Sequence, residues 1–330
     1  LISDRLSNPN PSLRRVIVSF SVAAALFVAF NISVAWMARN SVPRQLLRQI
    51  DRTRGVTDIA LGNSLMFSGF DPDAYDRALA ADPVVAMNAG LGASSVVEHL
   101  EILSRALERD DSIRVAIYGF FDFQLTDPPV ATVSDLFGNR AISYYAAPAI
   151  ALQFYEMPLR DQIEFRLLRH VPVWVDRGVL WSEVEKLRRA MGQVGMPAVA
   201  TNQFGRAADF ARLEASSPAE FEKECRLAID GARGLSRPIV QLIADARAHG
   251  ARVVIVEMPL PPAHQQKFYS LPAWQEYRKY IADRIRDCGA DYIQASDWIN
   301  DPSEFQDPLH MTESGAAEFS RRLAATIHPR

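Results

Sequence analysis

One unit recurs along this chain and restricts its fold more than anything else: a short apolar run that stops on a glycine turn and hands over to a helix-length stretch. Asp58-Ile59-Ala60-Leu61 stops on Gly62-Asn63-Ser64, and Val84 to Ala89 discharges into Gly90-Leu91-Gly92-Ala93-Ser94, with a helix expected from about Ser95 to Arg109. Ile113 to Tyr118 ends in Gly119-Phe120-Phe121-Asp122-Phe123, Arg252 to Glu257 ends in Met258-Pro259, and Asp291 to Ile293 begins a short fifth run. Strands separated by helical stretches of this length imply parallel βαβ units with right-handed crossovers, hence a three-layer α/β fold. Such sheets place their chemistry outside the carboxyl ends of the strands. Ser64, at the end of the first run, is therefore the candidate nucleophile, although a serine there reads equally well as part of a turn or as a helix N-cap.

The rest of the composition mainly excludes. The chain has 330 residues, 48% hydrophobic and 23% charged, which describes a globular core and not a disordered segment. A net charge of −3 without a Lys/Arg-rich block gives no footprint for nucleic acid. Cys225 and Cys288 lack metal-ligand spacing and read as two buried thiols, with pairing left open. His99 falls on the helix expected after Ser94, and His170, His249, His264 and His328 have no ligand-spaced partners, so neither a metal site nor a cofactor is expected.

Residues 1–15 form a tail before an uncharged stretch, Val16 to Ala38, of about 35 Å as a helix, enough to cross a bilayer core of about 30 Å. An uncleaved anchor is expected, with a cleaved signal peptide ending near Ser33-Val34-Ala35 as the alternative. Arg5, Arg14 and Arg15 precede the span and Arg39, Arg44, Arg48, Arg52 and Arg54 follow it, a count that would put the following domain in the cytoplasm. Residues 39–54 read as an amphipathic juxtamembrane linker helix, with Val42, Leu46, Leu47 and Ile50 on one side and arginines free for lipid headgroups. Residues 55–330 form the expected globular domain. Between its third and fourth strands, about 125–237, lie helical stretches (Asp161 to His170, Ser182 to Met191, Pro218 to Ala232) and the aromatics Tyr144, Tyr145, Phe154, Tyr155, Trp174 and Trp181. This is a helical insertion, expected over the carboxyl edge of the sheet as a wall of the active-site groove.

Near the C-terminus Asp307-Pro308-Leu309-His310 leads into a final helix ending at about Thr326. An imidazole takes a serine proton and a carboxylate fixes its tautomer, so this pair supplies what Ser64 lacks; a chain-turning Asp307 and a helix-capping His310 are the structural alternative. Ser64, the Gly90 turn and Asp-x-x-His together resemble the SGNH (GDSL-like) hydrolase family. The resemblance implies an SGNH-type sandwich, with Ser64 as nucleophile, His310 as base, Asp307 as its orienting carboxylate, and the amides of Ser64 and Gly90 as oxyanion donors. Within the family the chain looks most like the membrane-anchored branch that modifies envelope polymers, such as the alginate O-acetylation and teichoic-acid D-alanyl transfer proteins. That implies a single-pass protein of the cytoplasmic membrane, its domain periplasmic or extracellular, acting as an O-acyltransferase or esterase on a glycan beside a multi-span acyltransferase. The family's Gly-x-Asn-Asp block is replaced by Gly119-Phe120-Phe121-Asp122. This sets Asp122 at the substrate edge in place of an oxyanion asparagine, and leaves Asn88 as the candidate substitute donor. A catalytically silent SGNH-like subunit scaffolding a membrane complex is the alternative from another class, and a glycan-binding module resting on the insertion's aromatics is a third.

Overall fold

Parallel strands β1 (Asp58–Gly62), β2 (Ala86–Asn88), β3 (Val115–Phe120), β4 (Arg252–Glu257) and β5 (Asp291–Gln294) form one sheet in the order β2-β1-β3-β4-β5. These come from a computed structural model that describes residues 11–79, 84–190 and 217–329. Every residue of β1 and of β3 is buried. Since successive strand side chains point to opposite faces, both faces must be covered, and the architecture is the expected three-layer α/β fold. β2 is shorter than the expected run, starting at Ala86, although the Val85 carbonyl still accepts from the Thr57 amide.

The helices are α1 (Pro11–Ala38), α2 (Val42–Arg52), α3 (Ser64–Gly69), α4 (Pro72–Ala78), α5 (Val96–Arg109), α6 (Ile142–Tyr145), α7 (Pro148–Phe154), α8 (Leu159–Leu168), α9 (Pro172–Val175), α10 (Arg177–Ala190), α11 (Pro218–Asp230), α12 (Arg237–Ala248), α13 (Pro272–Asp287) and α14 (Glu313–Ile327). On the sheet, α5 packs against α12 and α14 against α3 and α4. The chain turns from β1 to β2 on one side and then returns to place β3 on the other side of β1. The strand order therefore reverses between β1 and β3, where an open sheet leaves a crevice at its carboxyl edge.

Helix α1 is long and apolar enough to cross a membrane, and its residues from Val16 to Phe30 are exposed. It starts five residues earlier than the uncharged stretch, at Pro11. The expected amphipathic helix after the span is α2, but its apolar side faces the domain. The apolar side of α2 (Pro43, Leu46, Leu47, Ile50) is buried and the helix packs on α5, while Arg44 pairs with Asp176 at 2.8 Å and Asp51 with Arg105 at 2.8 Å. Its amphipathic pattern needed an apolar partner, and the domain supplies one before any lipid does.

The insertion between β3 and β4 is helical, and Met191 of the expected Ser182 to Met191 helix lies outside the described residues. Its first residues, Asp127, Pro128 and Pro129, line a cavity at the carboxyl edge as a wall would, and none of the named aromatics does so among the described residues. Tyr144 stacks on Phe165 at 4.9 Å, and Tyr155 donates to Glu98 inside α5. Burial explains this: Glu98 and Glu101 are both fully buried, and Tyr155, Ser143 and Arg140 from the insertion join the Ser95 amide in offsetting Glu98's desolvation, while Ser143 also donates to Glu101. Burial, then the neighbouring Glu98, pushes the Glu101 carboxyl well up. Both cysteines are free, Cys225 buried and Cys288 half-buried.

Candidate active site

At the end of β1, Gly62 faces Gly119 of β3 in register, and a Cβ on Gly62 would lie 2.8 Å from the Gly119 carbonyl oxygen and 2.8 Å from Met66 Cβ. With φ of 152° as well, only glycine fits. The space it leaves lets α3 begin immediately. Asn63 is the N-cap, its Oδ1 accepting from the Leu65 amide at 2.9 Å, so Ser64 is the first helical residue and its hydroxyl is not used as a cap.

The Ser64 hydroxyl meets a residue 246 positions away: His310 Nε2 lies 2.9 Å from Ser64 Oγ. On the other side of the ring, His310 Nδ1 lies 2.8 Å from Asp307 Oδ2. Asp307 also accepts from the Leu309 amide at 2.9 Å and the His310 amide at 2.7 Å, which fixes the loop that carries both residues. Burial alone would raise the Asp307 carboxyl, but the His310 ring and these amides outweigh it and hold the carboxyl below its ordinary range. His310 does not cap the last helix; Thr312 does, its side chain accepting from the Gly315 amide. The structure therefore brings Ser64, His310 and Asp307 into one hydrogen-bonded line, the arrangement that delivers a serine oxygen to a carbonyl carbon while an imidazole takes its proton.

The expected oxyanion residues divide. The Ser64 amide has no acceptor among the described residues, as befits a first-turn helix N–H. Gly90 and Asn88 are corrected. The Gly90 amide donates to Asn88 Oδ1 at 2.9 Å, and Asn88 Nδ2 is spent on the carbonyls of Phe70, Phe67 and Met66 at 2.7, 3.1 and 3.2 Å. Asn88 is a staple between two turns, and neither group points free donors at a substrate. Three residues on, Ala93 has φ of 54°, and the amides of Gly92 and Ala93 have no acceptor among the described residues.

A cavity of about 420 Å³ opens beside Asn63, the residue before Ser64, lined from three loops at the strand reversal: Asn63 after β1, Ser94 and Ser95 after β2, and Phe121 to Gln124 with Asp127, Pro128 and Pro129 after β3. Asp122 lines it with φ of 46°, a conformation that costs an aspartate energy. Its Oδ1 accepts from Tyr269 OH at 2.9 Å and lies 3.3 Å from His264 Nε2, so His264 has a carboxylate partner that its sequence position did not reveal. Asp127 stands at the rim; partial burial first, then Glu224 and Asp122 against the pull of Arg233, raises its carboxyl. Neither Lys nor Arg lines the cavity.

Sequence reasoning missed a relay behind this wall. Ser94 Oγ donates to the Leu91 carbonyl, so the fully buried His99 donates from Nε2 to Ser94 Oγ at 2.7 Å and accepts at Nδ1 from Tyr118 OH at 3.0 Å. Tyr118 OH is 3.5 Å from Gln124 Nε2, and Gln124 Oε1 accepts from Asn63 Nδ2 at 3.3 Å. The cap of α3 is thus tied through β3 to the Ser94 turn. Burial pushes the His99 imidazole down to about 3, so it is neutral when it plays this part. Among the described residues no cluster of His, Cys, Asp or Glu could hold a metal ion.

The fold and site together describe an α/β protein with a serine, histidine and aspartate joined at the carboxyl edge of its sheet. No family model and no curated protein matches the chain. Solved structures similar to it include TesA (10% identity, 83% of this chain and 98% of that one, TM-score 0.39). Others are a lipase/acylhydrolase from Enterococcus faecalis (12%, 83% and 99%, TM-score 0.33) and a GDSL-like lipase from Bacteroides thetaiotaomicron (9%, 92% and 98%, TM-score 0.33).

Proposed function

We propose that the chain is a membrane-anchored serine O-acyltransferase or esterase working through an acyl-Ser64 intermediate. The observation that carries this reading is the 2.9 Å contact between Ser64 Oγ and His310 Nε2, with Nδ1 of the same ring held by Asp307. Ser64 Oγ attacks an ester carbonyl as His310 takes its proton; the tetrahedral intermediate collapses, and His310 returns that proton to the departing alkoxide oxygen. Water or a second hydroxyl then attacks the acyl-serine, with His310 again as base. The amide of Ser64, which has no acceptor among the described residues, is the donor for the oxyanion. A cavity with carboxylate, carboxamide and aromatic walls and no cation suits a hydroxyl-rich acceptor, which supports a glycan over an anionic substrate. The anchor is α1, retained because Asn31, Val34 and Ala38 are buried against the domain. Export of the domain, and delivery of acyl groups by a multi-span membrane acyltransferase, complete the reading.

A second reading, a silent subunit of a membrane complex, is favoured by Asp122, a carboxylate where an oxyanion asparagine would serve. One experiment separates the two. The full chain in detergent is given a chromogenic acetyl ester with and without a glycan acceptor, and intact mass is followed. The expected outcome is an acetyl group on Ser64 and a loss of roughly 10³-fold or more in turnover for Ser64→Ala. Turnover that survives this change, or no acyl-enzyme with any short-chain ester, overturns the enzyme reading.

A further inference from the structure

The apolar turn that carries α9 touches α1 at a depth where an anchor helix is still inside the bilayer. Asn31 Oδ1 accepts from the Val173 amide at 3.0 Å, Asn31 Nδ2 donates to the Phe27 carbonyl at 2.9 Å, and Val34 and Ala38, further along the same face, are fully buried. From Val16, the first residue after Arg15, to Asn31 is a rise of about 22 Å, short of a hydrocarbon core of about 30 Å. The far boundary is reached only about five residues later, near Trp36, and any tilt of the helix moves it later still. Val173 and its neighbours therefore meet α1 below that boundary.

The chemistry of the contact fits such a place. Val173 is in the first turn of α9, where an amide has no acceptor within its own helix, and a bare amide in hydrocarbon costs several kcal/mol. The Asn31 side chain satisfies it. Between His170 and Asp176 the chain reads Val171-Pro172-Val173-Trp174-Val175, without a charge. Helix α10, which also packs on α1, exposes Trp181 (59%), Val184 (41%) and Leu187 (59%) within a 120° arc whose Trp181 end also carries the exposed Arg188, a long side chain of the kind that reaches headgroups from an apolar face. Lys186 lies on its other side, paired at 2.6 Å with Glu183, which stands about 40° beyond Leu187 at the edge of the arc. Arg39 stacked over the exposed Trp36 marks the headgroup level on α1 itself.

We propose that α9 and the Trp181, Val184 and Leu187 face of α10 are a second membrane-contacting element, seated in the same leaflet as the end of α1 and covered by lipid. The domain then rests on the bilayer through its insertion instead of hanging from a free tether, and the height of Ser64 above the membrane is set by the fold. This rests on α1 being a membrane span.

The test is site-directed spin labelling of the full chain in vesicles of phosphatidylcholine and phosphatidylglycerol, in a Cys225→Ala, Cys288→Ser background. Single nitroxides are placed through Phe27→Cys in the span, Leu187→Cys on the apolar side of α10 and Lys186→Cys on its polar side. All three positions are exposed, and unchanged thermal unfolding verifies that each variant folds. The expected result is an oxygen-to-nickel-chelate collision ratio several-fold higher at Phe27 and Leu187 than at Lys186. A Leu187 label as open to the nickel chelate as the Lys186 label, with Phe27 in lipid, overturns the proposal and leaves the anchor standing. A Leu187 label shielded from both reagents also overturns it, in favour of a protein cover such as a second copy. A Phe27 label in water overturns the anchor reading itself.

Discussion

Asn88 makes more polar contacts than the proposed oxyanion donor Ser64, yet none of them faces the cavity. Its side chain holds three carbonyls of the segment from Met66 to Phe70 and the amide of Gly90, which locks the turn after β2 to the helix that carries Ser64. Asn88→Ala strands those groups where protein covers them, and its expected cost is about 1–3 kcal/mol of stability by urea unfolding. An unchanged midpoint would mean water replaces the amide freely and the staple holds nothing. Ser64, Asp307 and His310 were readable in the sequence because each is bound to local punctuation, a strand stop or an Asp-x-x-His before a helix. Gly90 and Asn88 were misassigned for a physical reason. A glycine in a turn announces that another backbone comes close, here the Phe67 amide nitrogen, 2.6 Å from where a Cβ would be, but not which way its own amide points.

Among the elements, β3, α5 and the turns beside them share one hydrogen-bonded line of polar groups, Ser94, His99, Tyr118, Gln124 and Asn63, buried at His99 and Tyr118. His99 titrates near 6.5 when unfolded and near 3 when folded, so the unfolded chain takes up a proton first as the pH falls. Its contribution to stability is therefore whole above about pH 6.5 and shrinks toward pH 3, by about 2 kcal/mol on going from pH 7.5 to pH 5. His99→Gln removes this slope. The stability difference between those two pH values should be smaller in the variant by about that amount in urea titrations, and an equal difference in both proteins would place the His99 ring in contact with water. The line was invisible in sequence because its five members come from four separate segments, with no motif to join them. Helix α2 was half legible: its apolar side demanded a partner, and only the tertiary fold says that the partner is α5.

The whole molecule is an open sheet with its candidate site at the strand reversal, and that much followed from five punctuated apolar runs in order. How α1 attaches did not follow, because a hydropathy pattern carries no depth. A chain beginning at Asn40 lacks Asn31, Val34 and Ala38, so it uncovers the Val171 to Val175 turn, and exposed apolar surface of that kind associates. It is expected to unfold cooperatively on heating yet to elute as oligomers, or with bound detergent, in size exclusion with light scattering. A monomer without detergent would mean α9 needs no cover. The separation of Ser64 and His310 has another consequence, in time. With 246 residues between them and synthesis at about 5–20 residues per second, the serine waits roughly 10–50 s for its base. During that interval the emerging chain carries an ordinary hydroxyl, so the proposed ester chemistry stays off at the ribosome and begins only when α14 closes on α3 and α4.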